Sequence, residues 1–171
     1  MTFSIVARCA RSGQFGIGIA SYTLAVGRYC DGAVRANTGV ALTLANPLPR
    51  NNYLAIDLLA QGRTAPQVLR ELLGDDPAHE YRQIALIDRE STAVAHTGNK
   101  SAAWSGHRIG AGYIVFGDGL AGEGVLAAMA EAFEKTAEQG QDEQILAALE
   151  AGQVAGGVVG RKGTLPVRSA A

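Results

Sequence analysis

The chain has 171 residues, a length for one domain of ordinary size, with 47% hydrophobic and 18% charged residues. That is enough apolar material for a core, and too little charge for a disordered chain. Fifteen basic residues against 16 acidic leave a formal net charge of -1, which argues against electrostatic binding of nucleic acid or of an anionic membrane. Two cysteines without a CxxC pair, Cys9 and Cys30, exclude a disulfide scaffold and a cysteine-built zinc site. No window approaches the ~20 apolar residues of a membrane helix, and MTFSIVARCARSG lacks the layout of a signal peptide. A soluble cytoplasmic protein is the expectation.

In chain order, residues Thr2 to Arg8 alternate Phe3, Ile5 and Ala7 against Thr2, Ser4 and Val6, the pattern of a half-buried strand. After a turn at Arg11-Ser12-Gly13, residues Gln14 to Ala20 set Phe15, Ile17 and Ile19 on one face. Gly16, Gly18 and Ala20 make the other face nearly flat. The two segments read as a hairpin. GVALTLAN around Val40, Leu42 and Leu44 predicts a further strand, and Asn46-Pro47 with Pro49 a turn.

Helices are predicted next. Asn51 to Gln61 carries Leu54, Leu58 and Leu59 and stops at Gly62. Thr64-Ala65-Pro66-Gln67 has capping-box spacing and opens a helix with Val68, Leu69, Leu72 and Leu73 on one stripe. Strands follow at Arg82 to Asp88, Thr92 to Thr97 and Ala111 to Gly117. The last helices are Gly124 to Thr136, burying Val125, Leu126, Met129 and Phe133, and Asp142 to Ala151, burying Ile145, Leu146 and Leu149. The segment 156–171 reads as either a flexible tail or a chain that lacks a last strand, which would begin near Ser169. Segregated runs of strands and of helices indicate α+β rather than βαβ winding. Paired amphipathic helices with small-faced strands fit layers of helix, sheet, sheet and helix, in a single domain over 1–171.

The most literal motif is G-x-G-x-x-G at Gly117-Asp118-Gly119-Leu120-Ala121-Gly122. It follows a strand and opens a helix, but the helix leads to another helix and not to the strand a dinucleotide site requires. A tight strand-to-helix turn is the better reading, with an anion or oxyanion nest as the alternative. His79, His96 and His107 form neither HxH nor HExxH, so no metal is expected and no cofactor is implied. His96 shares a strand face with Val94, His79 sits in a polar segment, and His107 falls in a loop after Trp104. His107 and Trp104 are the fallback for a different site. Arg8 and Arg28 stand close to Cys9 and Cys30 and could lower a thiol pKa, although both cysteines read first as ordinary small residues.

The remaining candidate is Thr2. Residue 2 is small enough for Met1 to be removed. A terminal threonine carries a hydroxyl nucleophile and, in an α-amine of pKa about 8, its own base. If the two strands pair about the turn at 11–13, Thr2 falls opposite about Ser21, so the site is expected near Thr2, Ser21 and the loop Tyr22 to Arg28. Asn46, His96, Lys100 and Asp118 are the binding candidates from other segments.

The chain resembles a bacterial and archaeal group of uncharacterised proteins, domain-of-unknown-function family 1028. The resemblance rests on MTFSIVAR at 1–8, FGIGIAS at 15–21, AVGRY at 25–29, Asn46-Pro47, Glu80-Tyr81-Arg82-Gln83 and AHTGNK at 95–100. WSGHRIGAGY at 104–113, LAGEGVLAAMAEAFEKT at 120–136 and AALEAGQVAGG at 147–157 complete it. It implies an N-terminal-nucleophile (Ntn) hydrolase-like fold, the four-layer αββα sandwich of proteasome subunits and amidohydrolases, without an established reaction. Departures from the family pattern are Cys9 for an acidic residue, Asp118 for an asparagine and Ser101 for a cysteine. An ionised Asp118 would repel an oxyanion held at its position.

The expected function is therefore an N-terminal-nucleophile amidohydrolase acting on a small amide or peptide, with Thr2 as nucleophile. The alternative is a non-catalytic small-molecule-binding or assembly protein on the same fold. Glycine-flat strand faces and an unfinished C-terminal strand, with edges that a neighbour can cover, point to a homo-oligomer, a dimer or larger.

Overall fold

Seven residues at the start of the chain, Thr2–Arg8, form strand β1 and are hydrogen-bonded on both edges in a computed structural model that describes residues 1–102 and 104–171. On one side β1 pairs antiparallel with β2 (Phe15–Ser21), and on the other with β8 (Tyr113–Asp118). Two short strands complete this sheet: β7 (Gly106–Gly110) beside β8, and β11 (Ser169–Ala170) beside β2, giving the order β11-β2-β1-β8-β7. A second antiparallel sheet has the order β3-β4-β5-β6, from Ala33–Arg35, Gly39–Ala45, Arg82–Asp88 and Ala93–Thr97. Val159–Gly160 and Gly163–Thr164 (β9 and β10) make a separate small ribbon. Five α-helices lie among the described residues: α1 (Val26–Tyr29), α2 (Pro49–Ala60), α3 (Ala65–Asp75), α4 (Glu123–Lys135) and α5 (Gln141–Val154). The chain is thus a mixed α/β protein built on antiparallel sheets. No helix among the described residues is long and apolar enough to cross a membrane.

Three apolar clusters show what packs on what. Phe3, Ile5 and Ala7 of β1 join Val115 of β8 and the helical residues Leu126, Met129, Phe133 and Ala148. Val6, Ile19, Ile114 and Phe116 of the first sheet meet Val40, Leu42, Leu44, Ala85 and Ile87 of the second. Ile84 and Leu86 of the second sheet face Ala55, Leu59, Val68 and Leu72 of α2 and α3. β1 is therefore buried on both faces, not the half-buried strand its alternation suggests. It is the central strand of its sheet, with helices over one side and a sheet over the other. Full burial of side chains such as Phe3 and Ile5 is worth about 1.5–3 kcal/mol each.

The flat glycine face of β2 has a packing reason. A Cβ at Gly16 or Gly18 would run into the Ile145 side chain, so α5 rests directly on the strand backbone. Ile145 and Ala148 are buried there, while Leu146 points away and is 56% exposed, contrary to the expectation that it is buried. One residue step turns the helix by about 100°, which carries Leu146 off the sheet-facing side.

The starts of α2 and α3 follow from the chemistry of a helix N-terminus. α2 begins at Pro49, earlier than expected, because proline fits a first helical turn whose N–H groups lack intrahelical partners. At α3 the Thr64 N–H donates to Gln67 Oε1 at 2.9 Å, the reciprocal half of a capping box. The Ala65 N–H donates to the buried Asp88 carboxylate at 3.1 Å, which ties the helix to the end of β5. The short strands β3, β7, β9 and β10 carry no strong sequence pattern and are additions to the expected elements.

Gly18→Val should destabilise the protein by about 1–3 kcal/mol through overpacking against α5. Urea unfolding checks this, and Ile145→Ala in the same background should restore part of the loss.

Candidate active site

Three adjacent strands of the first sheet bring Thr2, Ser21 and Asp118 side by side. Thr2 is in register with Ser21 on one edge of β1 and with Asp118 on the other. Strand alternation puts these three on the same face as Val6, Ile19 and Phe116, the face that meets the second sheet. All three are buried, with Thr2 and Asp118 5% exposed and Ser21 fully enclosed.

The Thr2 and Ser21 hydroxyls are 2.9 Å apart. Ser21 Oγ donates to the Met1 carbonyl at 3.2 Å and accepts the Thr23 N–H at 3.0 Å. A hydroxyl has one proton to give. With that proton on Met1, the Thr2 hydroxyl must be the donor to Ser21. The Tyr22 N–H also points at the Met1 carbonyl, at 3.4 Å. Ser21 and Tyr22 therefore present two donors to one carbonyl beside the Thr2 hydroxyl.

On the other side of Thr2, the Met1 α-amine lies 3.4 Å from Asp118 Oδ2. Burial pushes the Asp118 carboxyl above its ordinary range, while the Met1 ammonium and the Thr2 N–H pull it back. The Met1 side chain rests over Gly119, whose φ of +63° and missing Cβ leave the space it occupies. Cys30, from the end of α1, is close enough to feel this charge. Burial and then the Asp118 carboxylate push its thiol up to about 11, opposite to the lowering its Arg28 neighbour suggests. Cys9 is lowered to about 7, chiefly by hydrogen bonds from Ser12 and less by Arg11.

The C-terminal strand borders the site, a neighbour that sequence reasoning missed. Ser169 stands in register with Ser21, and its Oγ donates to the Thr23 carbonyl and accepts the Val26 N–H. The Arg168 guanidinium lies over the Tyr22 ring, 5.3 Å from its centre. The only signal for this contact was the strand onset expected near Ser169.

The Gly117–Gly122 segment behaves as a strand-to-helix turn. The Leu120 and Ala121 N–H groups donate to the Trp104 and Gly157 carbonyls, so they are not free to hold an anion. Among the described residues, no group of three His, Cys, Asp or Glu side chains is arranged to hold a metal ion.

The other sequence candidates make contacts of their own. The Asn46 carbonyl accepts a hydrogen bond from Arg82, and Arg82 Nε donates to Asp76 at 2.6 Å. Burial raises Asp76, but Arg82, the Ala78 N–H and Asn51 outweigh it and hold the carboxyl below its usual range. His96 is on the helix-facing side of the second sheet with Val94, as expected, and its Nε2 is 3.2 Å from the His79 carbonyl. Lys100 Nζ lies 4.9 Å from the Tyr81 ring centre. His96 and Lys100 thus belong to a cluster with His79 and Glu80, where Glu80 accepts the Asn99 N–H, and neither contacts Thr2. His107 is on β7, not in a loop, because the segment after Trp104 pairs with β8. It is 2.9 Å from Thr97 Oγ1 and, with Trp104, Arg108 and Glu123, lines a cleft of about 430 Å³. Burial, then the nearby His96, lowers the His107 pKa.

Alkylation separates the two cysteines. Cys9 should react with iodoacetamide with an apparent pKa near 7. Cys30 should stay unmodified at pH 8 until denaturant is added, as peptide mapping by mass spectrometry would show. Arg82→Met should cost about 3–5 kcal/mol at neutral pH by leaving Asp76 buried without its cation. Because the native Asp76 pKa is depressed, the stability it brings is present at neutral pH and lost as pH falls below about 4, so the gap between the two proteins should close there.

The model of the Family of unknown function (DUF1028) matches residues 2–171. The crystal structure of protein SPO2555 from Silicibacter pomeroyi, itself assigned to DUF1028, superposes with a TM-score of 0.85 at 29% identity, over 91% of this chain and 71% of that one. A comparison with curated proteins finds none that matches. With a family model spanning nearly every residue and that fold likeness beside it, the chain belongs to the DUF1028 family.

Proposed function

We propose that this chain is an N-terminal-nucleophile amidohydrolase acting on a small amide or peptide, with Thr2 as nucleophile once Met1 has left. In this reading the three packing interfaces together make a four-layer αββα sandwich of the Ntn type, with the site at one end between its sheets. The observation that carries it is the pairing of Thr2 with Ser21 and Asp118, which sets a hydroxyl network on one side of Thr2 and a carboxylate at its nitrogen.

Removal of Met1 turns the Thr2 nitrogen into a free amine and vacates the two donors on Ser21 and Tyr22. The amine takes the Thr2 Oγ proton, and Oγ attacks the substrate carbonyl carbon. The Ser21 hydroxyl and Tyr22 N–H then serve the oxyanion. The negative charge of Asp118 keeps the oxyanion on the Ser21 side. Asp118 itself works on the amine: it stands in register with Thr2, whose N–H holds the carboxyl down, so the charge partner survives processing.

A second reading, a non-catalytic small-molecule-binding or assembly protein, is favoured by the Met1 seat. While Met1 stays, Thr2 has no free amine.

Intact mass of untagged protein from its own host shows whether Met1 leaves. Met1-free protein should release p-nitroaniline from small amide substrates, and Thr2→Ala should reduce this at least ~100-fold. An inert Met1-free protein favours the second reading. The rate should rise with pH through the titration of the Thr2 amine, from a reference pKa of about 8 moved upward by the Asp118 carboxylate. Asp118→Asn should shift that rise to lower pH, because the ammonium form loses its counter-charge.

A further inference from the structure

Met1 occupies this site as an α-aminoacyl group in amide linkage to the nucleophilic residue, and each of its parts has a seat. Its ammonium is 3.4 Å from Asp118, a carboxylate whose side chain is 6% exposed. Its carbonyl receives Ser21 Oγ at 3.2 Å and the Tyr22 N–H at 3.4 Å. Its side chain lies over Gly119, in space that a Cβ there would remove, and is open to solvent on its far side, with Met1 37% exposed overall.

From these contacts we propose that, given the hydrolase reading above, the acyl group cleaved here carries a free α-ammonium bound by Asp118. The substrate is an amino acid amide or the N-terminal residue of a peptide, with its side chain over Gly119.

The chemistry of the seat discriminates. A buried carboxylate is costly unless a cation or several donors face it. An acyl group without an ammonium, or with an acetylated amine, leaves Asp118 without that partner, and an acidic one adds a like charge. With Met1 gone, Asp118 meets two amines, that of Thr2 and that of the substrate. One carboxylate has lone pairs for both, but two adjacent ammonium groups repel. A cationic substrate therefore drives the Thr2 amine toward the neutral form that a base needs. Binding of the right substrate arms the nucleophile.

The step balances within the site. Thr2 Oγ bonds to the carbonyl carbon, and its proton passes to the Thr2 amine and on to the leaving nitrogen as the C–N bond breaks. Water then cleaves the aminoacyl ester, which releases a free amino acid and restores the Thr2 hydroxyl.

The test compares L-methionine p-nitroanilide with N-acetyl-L-methionine p-nitroanilide on Met1-free protein. It is joined by calorimetric binding of L-methioninamide and N-acetyl-L-methioninamide to the Met1-free Thr2→Ala variant. The free-amine substrate should have a kcat/KM at least ~100-fold higher, its amide should bind at least ~10-fold tighter, and Asp118→Asn should bring both ratios toward one. Equal or better turnover of the acetylated substrate overturns the inference and leaves the hydrolase reading standing. No turnover of either, with tighter binding of the free-amine amide, sinks the hydrolase reading and supports ammonium recognition. Binding of neither amide, without turnover, overturns both.

Discussion

The pairing of β1 on both edges is the constraint on which the rest of this molecule depends. A strand hydrogen-bonded to β2 and to β8 has no freedom of register. A slip of one residue would turn Phe3, Ile5 and Ala7 from the helices toward the second sheet, and would take Thr2 off the face it shares with Ser21 and Asp118. The same register that fills two apolar clusters therefore assembles the polar site. Thr2 shares its face with Val6, so the polar group sits at the end of one of those two apolar clusters.

That economy explains why a site built on strand ends can be so enclosed. Loops carry backbone groups that want water, whereas the central strands of a covered sheet have their amides satisfied and can hold a hydroxyl or carboxylate in a fixed place. Asp118 is the costliest member of the group. Burial alone would favour its neutral form, and the amine and N–H groups beside it oppose that. Cys30 responds to the same negative charge, held as a neutral thiol by burial and by Asp118. The charge at this end of the sheet is set by a short chain of neighbours, each defined by the strand pairing.

A second polar arrangement does structural work. Asp76, Arg82 and Asn51 form a buried network that reaches the Asn46 carbonyl and joins the start of α2 to the start of β5. Asp88 does the same at the opposite end of β5, where it caps α3 and closes the turn to β6. Both ends of β5, an inner strand of the second sheet, are thus tied by carboxylates to the helical segment that covers it. The cluster of His79, His96 and Glu80 lies on this outer side of the sheet and has a separate environment from Thr2.

The long periodic elements were legible in the chain alone. Strand-like apolar patterns located β1, β2, β4, β5, β6 and β8, and the 3.6-residue stripes located α2 to α5, because these patterns reflect local geometry. The pairing of Thr2 with Ser21 was also legible, since a short turn between two strands sets their register arithmetically. What lay out of reach depends on partners distant in sequence. β3 and β7 are strands only because β4 and β8 pair with them, so His107 looked like a loop residue. The double burial of β1, the exposure of Leu146 and the seat of Ser169 against Ser21 follow from which element covers which. Asp118 could be named a candidate from the glycine-rich turn. That it stands beside the Thr2 nitrogen was decided only by the tertiary pairing of β1 with β8, because more than a hundred residues of chain separate two groups that one ladder of hydrogen bonds brings together.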